Sequence, residues 1–339
     1  MVIMVTGGAG YVGSHTCIEL IRAGYSVLIF DDFSNSSPEV VNRIERIAGM
    51  APSVVRGDVR DLDQLTATLK SFRCEAVLHF AGLKSISASF EEPTRYYDYN
   101  VVGSLTLVKA MQMAGVRRLI FSSSATVYGE PLFLPLTETH PLVPSSVYGR
   151  TKMIAEKMLC DIASASSLGV AVLRYFNPVG AHESGLIGED SPGVSAGLMP
   201  ALAQTAVGRR PHLAIFGNDY DTSDGTGVRD YVHVVDIATA HVLALRNIDA
   251  NGQIIVNLST GRGTSVLDLV RQFSAACGRE IPYVFAERRN GDVATCYASA
   301  DLACRLLGWR PARTVEDMCR DAWKWQSLNP DGYGRAHSG

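Results

Sequence analysis

The chain has 339 residues, a length that predicts two domains or one large one with a sizeable buried core. A net charge of −3 and a pI near 6.2 give no electrostatic footprint for nucleic acid, and no apolar stretch approaches the roughly 20 residues of a membrane span. The seven cysteines are scattered without a Cys-x-x-Cys pair, which predicts reduced thiols and no metal site. No signal peptide is evident, so we expect a cytoplasmic protein.

The N-terminus has the pattern of a strand, a glycine turn and a helix. Val2–Thr6 is apolar, glycines follow at 7, 10 and 13, and residues 14–23 have helical apolar spacing that ends at Gly24. In this context small residues let the backbone approach a pyrophosphate, and the helix N-terminus presents free N–H groups to it. The pattern therefore predicts a dinucleotide site.

A second strand, Ser26–Phe30, ends in the acidic pair Asp31-Asp32. An acidic side chain at this point accepts hydrogen bonds from the diol of an adenosine ribose and repels a 2′-phosphate. Residues 31–36 also contain no arginine that would favour a 2′-phosphate. The sequence therefore predicts NAD rather than NADP, with an ordinary turn residue as the alternative interpretation of Asp31.

Strand and helix signals continue to alternate beyond this pair. Strands are predicted at 53–56, 75–80, 118–122 and 169–174, and helices at 62–72, at 96–114 and around Tyr148. Repeated strand–helix units predict an α/β protein with a doubly wound parallel sheet, whose ligands bind beyond the C-terminal strand ends. The residues at those ends are Thr6-Gly7, Asp31, Asp58, Phe80-Ala81, 122–124 and 175–177.

The alternation loosens after about residue 178, where glycines, prolines and shorter elements follow one another as far as Trp325. We therefore predict a dinucleotide-binding domain at residues 1–178 and a smaller mixed α/β substrate domain at residues 179–333. Residues 230–250 are expected to cross back to the sheet of the first domain.

Tyr148 and Lys152 are four residues apart, a spacing that places both side chains on one face of a helix. A phenol is a poor base because its pKa is about 10, and a cation beside it favours the phenolate. The pair thus predicts a proton acceptor that works near neutral pH. A solvated helix face is the alternative, because this spacing also occurs by chance.

Six segments together carry a family resemblance. They are the glycine turn with Asp31, Ser-Ser-Ser-Ala-Thr-Val-Tyr-Gly at 122–129, Tyr148-Gly-Arg-Thr-Lys152, Leu-Arg-Tyr-Phe-Asn-Pro-Val-Gly-Ala-His at 173–182, Leu-Ala-Ile-Phe-Gly-Asn-Asp-Tyr at 213–220 and Asp-Gly-Thr-Gly-Val-Arg-Asp-Tyr-Val-His at 224–233. Over residues 1–333 the chain resembles extended short-chain dehydrogenases/reductases and, among them, the UDP-glucose (UDP-galactose) 4-epimerases. The resemblance implies a Rossmann fold, tightly bound NAD, a UDP-hexose substrate and a homodimer formed through helices at 96–114 and 148–165.

The resemblance also implies where the ligands bind. The cofactor contacts fall on Gly7, Gly10, Tyr11, Val12, Gly13, Asp31, Asp32, Asn35, Ser36, Asp58, Val59, Phe80, Ala81, Lys84, Ser122, Tyr148, Lys152, Tyr175 and Phe176. The substrate contacts fall on Lys84, Ser124, Tyr148, Asn177, Gly197, Leu198, Ala214, Phe216, Arg229, Tyr231, Arg289, Asp292 and Cys296. Arg229 and Arg289 also have a direct physical reason, because guanidinium pairs well with phosphate oxygens.

Tyr148, Ser124 and Lys152 also suit the chemistry of inversion at a sugar carbon. A sugar C4 carbon has no acidic proton, so inversion there requires oxidation to a 4-keto sugar that turns over and is reduced on its other face. Tyr148 would take the 4-OH proton, Ser124 would hydrogen-bond the same oxygen, and Lys152 would lower the pKa of Tyr148. By resemblance, Lys152 also binds the nicotinamide ribose.

Two rival functions are weighed against this one. A nucleotide-sugar 4,6-dehydratase needs further acid/base groups, and dehydratases of this family carry Asp-Glu after the active-site Ser or Thr. Here Ala125-Thr126 follow Ser124, so dehydration is disfavoured. A catalytically inactive NAD-binding regulator would typically have lost Tyr148 or Lys152.

Three positions depart from the family pattern. Tyr99 stands where many relatives have Asn, so we expect no cofactor contact there. Gly197 replaces a common Asn beside the sugar, and Cys296 stands at a position often filled by Tyr. Both smaller side chains predict room for a 2-N-acetyl group, hence activity on UDP-GlcNAc and UDP-GalNAc. A packed core residue is the alternative for Cys296.

Overall fold

The computed structural model describes residues 1–190, 197–289 and 291–334. The strands in these residues are β1 (Val2–Thr6), β2 (Ser26–Asp31), β3 (Ser53–Arg56), β4 (Ala76–His79), β5 (Arg118–Ser124), β6 (Gly169–Tyr175), β7 (Asn177–Val179), β8 (Leu213–Phe216), β9 (Val228–Arg229), β10 (Tyr231–His233), β11 (Gln253–Leu258), β12 (Thr264–Ser265), β13 (Tyr283–Ala286) and β14 (Thr295–Cys296). The helices are α1 (Tyr11–Arg22), α2 (Glu39–Ala48), α3 (Leu62–Ser71), α4 (Ile86–Glu91), α5 (Pro93–Tyr97), α6 (Gly103–Ala114), α7 (Val147–Ser164), α8 (Leu198–Ala206), α9 (Val234–Asn251), α10 (Val266–Cys277), α11 (Asp301–Leu307) and α12 (Val315–Leu328), with a π-helical turn at Asp98–Val102 and a 3-10 turn at Ala125–Val127.

A seven-stranded parallel sheet with the order β11-β6-β5-β4-β1-β2-β3 forms the centre of the described chain. Successive residues of a strand point to opposite faces, and the sheet is covered on both. In β1, Ile3 and Val5 belong to one hydrophobic core, whereas Met4 belongs to the other. This arrangement confirms the predicted doubly wound parallel sheet.

The seventh strand of the sheet comes from far along the chain. β11 pairs in parallel with β6 from Gln253↔Val170 to Leu258↔Tyr175, and α9 packs against α1 and β6. Residues 230–250 were expected to cross back to the sheet, but the strand that follows them was not predicted from the sequence. The chain therefore leaves the sheet after β6 and returns to complete it.

The parts of the chain after β6 that lie outside the central sheet include three small sheets and a third hydrophobic core. The sheets pair β10 with β7, β12 and β14 with β9, and β13 with β8. Leu202 of α8, Ile215 of β8, Phe273 of α10 and Met318 of α12 are among the buried residues of that core. These short pairings contain six of the predicted substrate residues: Asn177, Ala214, Phe216, Arg229, Tyr231 and Cys296.

The predicted helix at 96–114 is instead broken into α5, the π-helical turn and α6. The π turn contains Asn100, whose side chain accepts the Leu83 N–H at 2.8 Å and donates to Thr151 Oγ1 of α7 at 3.0 Å. π turns are frequent at functional sites, and this one lets the amide reach two other elements at once. The break was not evident from the helical spacing, because the π-helical turn depends on contacts with residues far away in the sequence.

No helix in the described part of the chain is long and apolar enough to cross a membrane.

Candidate active site

The glycine turn between β1 and α1 approaches its surroundings too closely for side chains. A Cβ at Gly7 would lie 2.6 Å from a backbone nitrogen after β4, and one at Gly13 would lie 2.3 Å from the carbonyl oxygen of Gly7. Gly10 is the N-cap of α1, and a glycine has no side chain that could cap a helix. The first N–H groups of α1, those of Tyr11 and Val12, therefore face a space suited to an anion.

Asp31 lies at the end of β2 and is buried. Its carboxylate accepts the Ala9 N–H at 2.9 Å, the Phe33 N–H at 2.9 Å and the Ser36 hydroxyl at 3.0 Å. Burial raises its pKa, and these hydrogen bonds oppose the shift. The three bonds use three of about four acceptor positions of a carboxylate, so Asp31 retains capacity for a ribose hydroxyl.

The neighbours of Asp31 in the sequence are less enclosed. Asp32 accepts the N–H and the hydroxyl of Ser34 at 2.9 and 2.7 Å, which makes it a turn-forming residue first of all. Asn35 is exposed beside it, and Ser36 bonds to Asp31 as described. The cofactor contacts at Asp32 and Asn35 therefore stay predictions.

Asp58 and Val59 follow β3. Val59 is buried, and the Asp58 carboxylate accepts Arg60 Nε at 3.0 Å and Nη2 at 2.6 Å. Arg60 also bonds to Asp98 and lies 3.8 Å from the ring centroid of Tyr99. Sequence reasoning missed Arg60, although a cation two positions after a predicted site carboxylate was a visible signal.

The residues predicted at the other strand ends lie there: Phe80-Ala81 follow β4, Ser122 and Ser124 lie at the end of β5, and Tyr175-Phe176 at the end of β6. The Ser122 hydroxyl bonds to His241 of α9 at 3.1 Å, and the rings of Phe80 and His241 are 4.6 Å apart. Ser122 thus turns its side chain away from α7 and presents only its carbonyl to it.

Tyr148 and Lys152 lie on the buried side of α7, with 9% and 6% of their surfaces exposed, which rules out a solvated helix face. Lys152 Nζ donates to the Ser122 carbonyl oxygen at 2.8 Å. The Ser124 hydroxyl bonds to the Tyr148 phenol and accepts Thr126 Oγ1 at 3.0 Å. Because Thr126 donates to Ser124, the proton of Ser124 is directed at the Tyr148 oxygen.

Burial governs the electrostatics of this pair. It raises the pKa of Tyr148, as does the neighbouring Tyr175, while the hydrogen bond from Ser124 opposes the shift. Burial lowers the pKa of Lys152 to about 8, and Glu156 opposes that change. The lowered tyrosine pKa expected from the sequence is therefore wrong for the protein alone, because desolvation of the phenolate raises the pKa of Tyr148 by more than the Ser124 hydrogen bond lowers it.

Lys84 lies in the segment between β4 and α4. Its ammonium pairs with Glu189 at 2.9 Å, and 52% of the lysine side chain is exposed. Nearby, the Tyr11 hydroxyl donates to the Gly180 carbonyl at 2.6 Å. These two contacts connect Tyr11 and Lys84 to residues 180 and 189, in the segment that follows β7.

Arg229 and Cys296 are partners in the parallel pairing of β9 with β14. Arg229 Nη1 donates to the Val228 carbonyl at 2.9 Å, and Nη2 lies 3.7 Å from the Asp292 carboxylate. Cys296 is partly buried, packs against the first hydrophobic core, and has its pKa raised to about 11 by burial. One guanidinium, one carboxylate and one small thiol are thus brought together from two segments.

Ala214 and Phe216 of β8 pair with β13, which leads directly to Arg289. The guanidinium of Arg289 lies 3.7 Å from the Phe216 ring centroid. The preceding Arg288 donates to Asp219 at 2.8 Å. A stacked arginine on an aromatic ring is suited to a base or a phosphate that approaches the same ring.

Asn177 and Tyr231 are paired in the sheet of β7 and β10; Asn177 is exposed and Tyr231 is buried. Gly197 is the N-cap of α8, and Leu198 is the first residue of that helix. A Cβ at Gly197 would lie 3.2 Å from Pro200 Cδ, so this position is already closely packed.

No group of three or more His, Cys, Asp or Glu within the described residues is placed to hold a metal ion.

The fold and this site define an extended short-chain dehydrogenase/reductase. A family profile described as GDP-mannose 4,6 dehydratase matches residues 4–322. The UDP-glucose 4-epimerase of Bacillus subtilis (strain 168) is 49% identical over 338 residues, which cover 99% of this chain and 100% of that protein. The UDP-glucose 4-epimerase of Dictyostelium discoideum is 51% identical over 334 residues, covering 98% and 97%.

Solved structures give the same assignment. The UDP-glucose 4-epimerase of Bifidobacterium longum, in complex with NAD+ and UDP, superposes with a TM-score of 0.95 at 46% identity and covers 98% of this chain and 100% of its own. The enzyme from Stenotrophomonas maltophilia, with bound NAD and formylated UDP-arabinopyranose, also gives 0.95, at 49% identity over 97% and 99%. The chain belongs to the UDP-glucose 4-epimerase family.

Proposed function

We propose that this protein interconverts UDP-glucose and UDP-galactose by oxidising C4 of the sugar, turning the 4-keto sugar over within the site, and reducing its other face. The observation that carries this proposal is the buried arrangement of Tyr148, Lys152 and Ser124 at the C-terminal end of a dinucleotide-type sheet. Membership of the 4-epimerase family supplies the reaction class for that arrangement.

Within the reaction, Tyr148 accepts the proton of the 4-hydroxyl as hydride leaves C4, and returns a proton when C4 is reduced. Ser124 directs its hydroxyl proton at the Tyr148 oxygen in the protein alone, and turning that proton to the 4-oxygen of a bound sugar would hold this oxygen beside the phenol. Lys152 keeps a positive charge beside them, in a buried site where charge interactions are stronger than in water.

The residues of the glycine turn and of β2 fit a bound NAD. Open N–H groups at the start of α1 suit a pyrophosphate, and Asp31 retains an acceptor position for the ribose. NAD, when bound, supplies a cationic nicotinamide that accepts and returns hydride and whose charge favours the Tyr148 phenolate. Because the cofactor is regenerated in each cycle, we expect the purified protein to retain it.

The second half of the site fits a uridine diphosphate. Arg229 and Arg289 supply guanidinium groups for the phosphates, and Phe216 offers a ring face for the base. Tight binding of the nucleotide allows the sugar to turn without leaving, because the binding energy is concentrated away from the reacting carbon.

Incubation with UDP-galactose, followed by NMR identification of the products, tests the proposal. Epimerisation gives UDP-glucose without an added reductant. A 4-keto-6-deoxy product would instead show a 4,6-dehydratase, the activity after which the matching profile is described. Retained NAD without any turnover would indicate a regulator, although Tyr148 and Lys152 are both present.

We also propose that the site accepts UDP-GlcNAc and UDP-GalNAc. Cys296 carries a small side chain beside Arg229, whereas the position of Gly197 is closely packed against Pro200, so the volume argument rests on Cys296. A family neighbour from Campylobacter jejuni, 33% identical and with a TM-score of 0.84, is described as a UDP-Glc/GlcNAc 4-epimerase.

Replacing Cys296 by tyrosine is expected to lower kcat/KM for UDP-GalNAc about ten- to a hundredfold, because overpacking typically costs about 1–3 kcal/mol. Turnover of UDP-galactose should change little. Cys296→Ser has nearly the original volume and serves as the matched control for loss of the thiol. Absence of N-acetyl turnover in the wild type would refute the volume argument and leave Cys296 as a packed residue.

A homodimer is proposed on the family resemblance. Helices α6 and α7 lie at residues 103–114 and 147–164, and Val102 and Met113 expose 47% and 55% of their surfaces. Exposed apolar side chains about three turns apart along the π-helical turn and α6 suit a face that is covered in a dimer.

A further inference from the structure

Three consecutive residues at the end of β5 hold three successive turns of α7. The pairs are Ser122 with Lys152, Ser123 with Glu156 and Ser124 with Tyr148. Two of these pairs belong to the site described above. The third, between Ser123 and Glu156, lies one turn further along the same buried face of α7.

Glu156 is held on its other side by Arg174 of β6. Arg174 Nε lies 3.1 Å from both carboxylate oxygens of Glu156, and Nη2 donates to one of them at 2.7 Å. Glu156 and Arg174 expose only 2% and 4% of their surfaces. Arg174 is also the sheet partner of Ser123, so the three side chains meet at one register position.

A buried ion pair of this kind is weak evidence for stability, because removing both charges from water costs about as much as their attraction returns. Its position indicates another role. Glu156 is the carboxylate that acts on Lys152, and it favours the charged lysine against the effect of burial. His79 of β4 also faces Lys152, but burial lowers its pKa to about 3, which makes it neutral.

We propose that Glu156 is a positioning residue for the epimerase reaction: through Ser123 it fixes α7 against β5, and its negative charge holds Lys152 in the ammonium form. The inference rests on the proposed function, because it concerns how the Tyr148–Lys152 pair is placed and charged. Arg174 balances the carboxylate through its ion pair with Glu156.

The first test is the pH dependence of kcat in Glu156→Gln. If Lys152 must be protonated, kcat falls at high pH as the lysine loses its proton. Removing the Glu156 charge makes the ammonium less favourable, so this alkaline limb should move to lower pH by about one unit. KM for UDP-galactose should stay within about twofold, because the change does not act on the nucleotide half of the site.

Two variants separate the charge of Glu156 from its hydrogen bond and from its ion pair. Ser123→Ala removes the bond to Glu156 but keeps the carboxylate, so kcat should fall without movement of the alkaline limb. If Glu156→Gln folds poorly because it leaves Arg174 unpaired, the double variant Glu156→Gln/Arg174→Met removes both charges. Its limb should move to lower pH by less than in Glu156→Gln, because loss of the more distant Arg174 cation partly favours the ammonium.

Asp236→Asn is the matched control for loss of a buried carboxylate. Asp236 of α9 is buried and accepts the N–H groups of Ala312 and Arg313 at 2.9 and 3.0 Å, in contacts outside the β5–α7 junction. Its replacement should lower Tm and leave the alkaline limb in place. An unmoved limb in a folded Glu156→Gln or double variant would overturn the proposal.

Lysine titration in protein labelled with 15N-lysine gives a readout that does not depend on turnover. The Lys152 signal, assigned through Lys152→Met, should titrate at lower pH in Glu156→Gln than in the wild type. An unchanged titration contradicts the proposal even where activity is measurable. If the Lys152 titration shifts between the wild type and Glu156→Gln, but the wild type does not epimerise UDP-galactose, only the proposed function is refuted.

Discussion

Replacing Tyr148 by phenylalanine is expected to lower kcat for UDP-galactose by about 10²–10⁴-fold, the usual contribution of a positioned acid/base group. The change removes only the phenol oxygen, to which Ser124 bonds, and leaves the ring packed against Val147 and Tyr96. NAD retention, measured from the nucleotide released on denaturation, and Tm should therefore change little.

Tyr96→Phe is the matched control, because Tyr96 lies in the same hydrophobic cluster and is equally a buried tyrosine. Its hydroxyl donates to the Ser85 carbonyl at 2.6 Å, so its loss removes one hydrogen bond but no acid/base group. Turnover of Tyr148→Phe within about tenfold of the wild type would exclude Tyr148 as the principal base.

Replacing Gly13 by alanine is expected to give a protein that retains almost no NAD. The added Cβ would lie 2.3 Å from the Gly7 carbonyl oxygen and 2.9 Å from Gly8 Cα, and neither backbone atom can move without opening the turn. Since the turn positions the first N–H groups of α1, its opening removes the pyrophosphate site. Nucleotide content per chain, together with the rise in Tm on addition of NAD, measures the effect.

Gly169→Ala is the control for this change. Gly169 is the first residue of β6, at the end of the strand away from the site, and the nearest atom to its added Cβ is the side-chain Ile248 Cγ1 at 3.2 Å. A side-chain end can yield by a few tenths of an ångström, so NAD should be retained. Full retention of NAD by Gly13→Ala would contradict the assigned role of the turn.

Local patterns in the sequence predicted six of the seven strands of the central sheet. Val2–Thr6 and Ser53–Arg56 have the predicted bounds, and α1 differs mainly in that it begins at Tyr11 rather than at 14. Strand alternation and glycine spacing depend on neighbours in the chain, which a single sequence displays directly. The helix Glu39–Ala48 and the strand Gln253–Leu258 were missed.

The site was less predictable wherever its properties depend on packing. The direction of the Tyr148 pKa shift followed from burial, which the Tyr-x-x-x-Lys spacing does not reveal. Arg60 takes up the carboxylate of Asp58, and Glu156 meets Arg174 across 18 positions of the chain. Glu156 was nevertheless visible four residues after Lys152, on the face that the spacing had already identified as important.

The late return of the chain to its sheet has a consequence during synthesis. Residues 1–178 leave the ribosome before α9 and β11 exist, so the nascent chain exposes one side of α1 and the open edge of β6. Exposed strand edges invite pairing with other chains. The seven-stranded sheet is therefore completed only after the chain between β6 and β11 has been translated, and a single cut in the gene between these strands would remove one strand from the sheet.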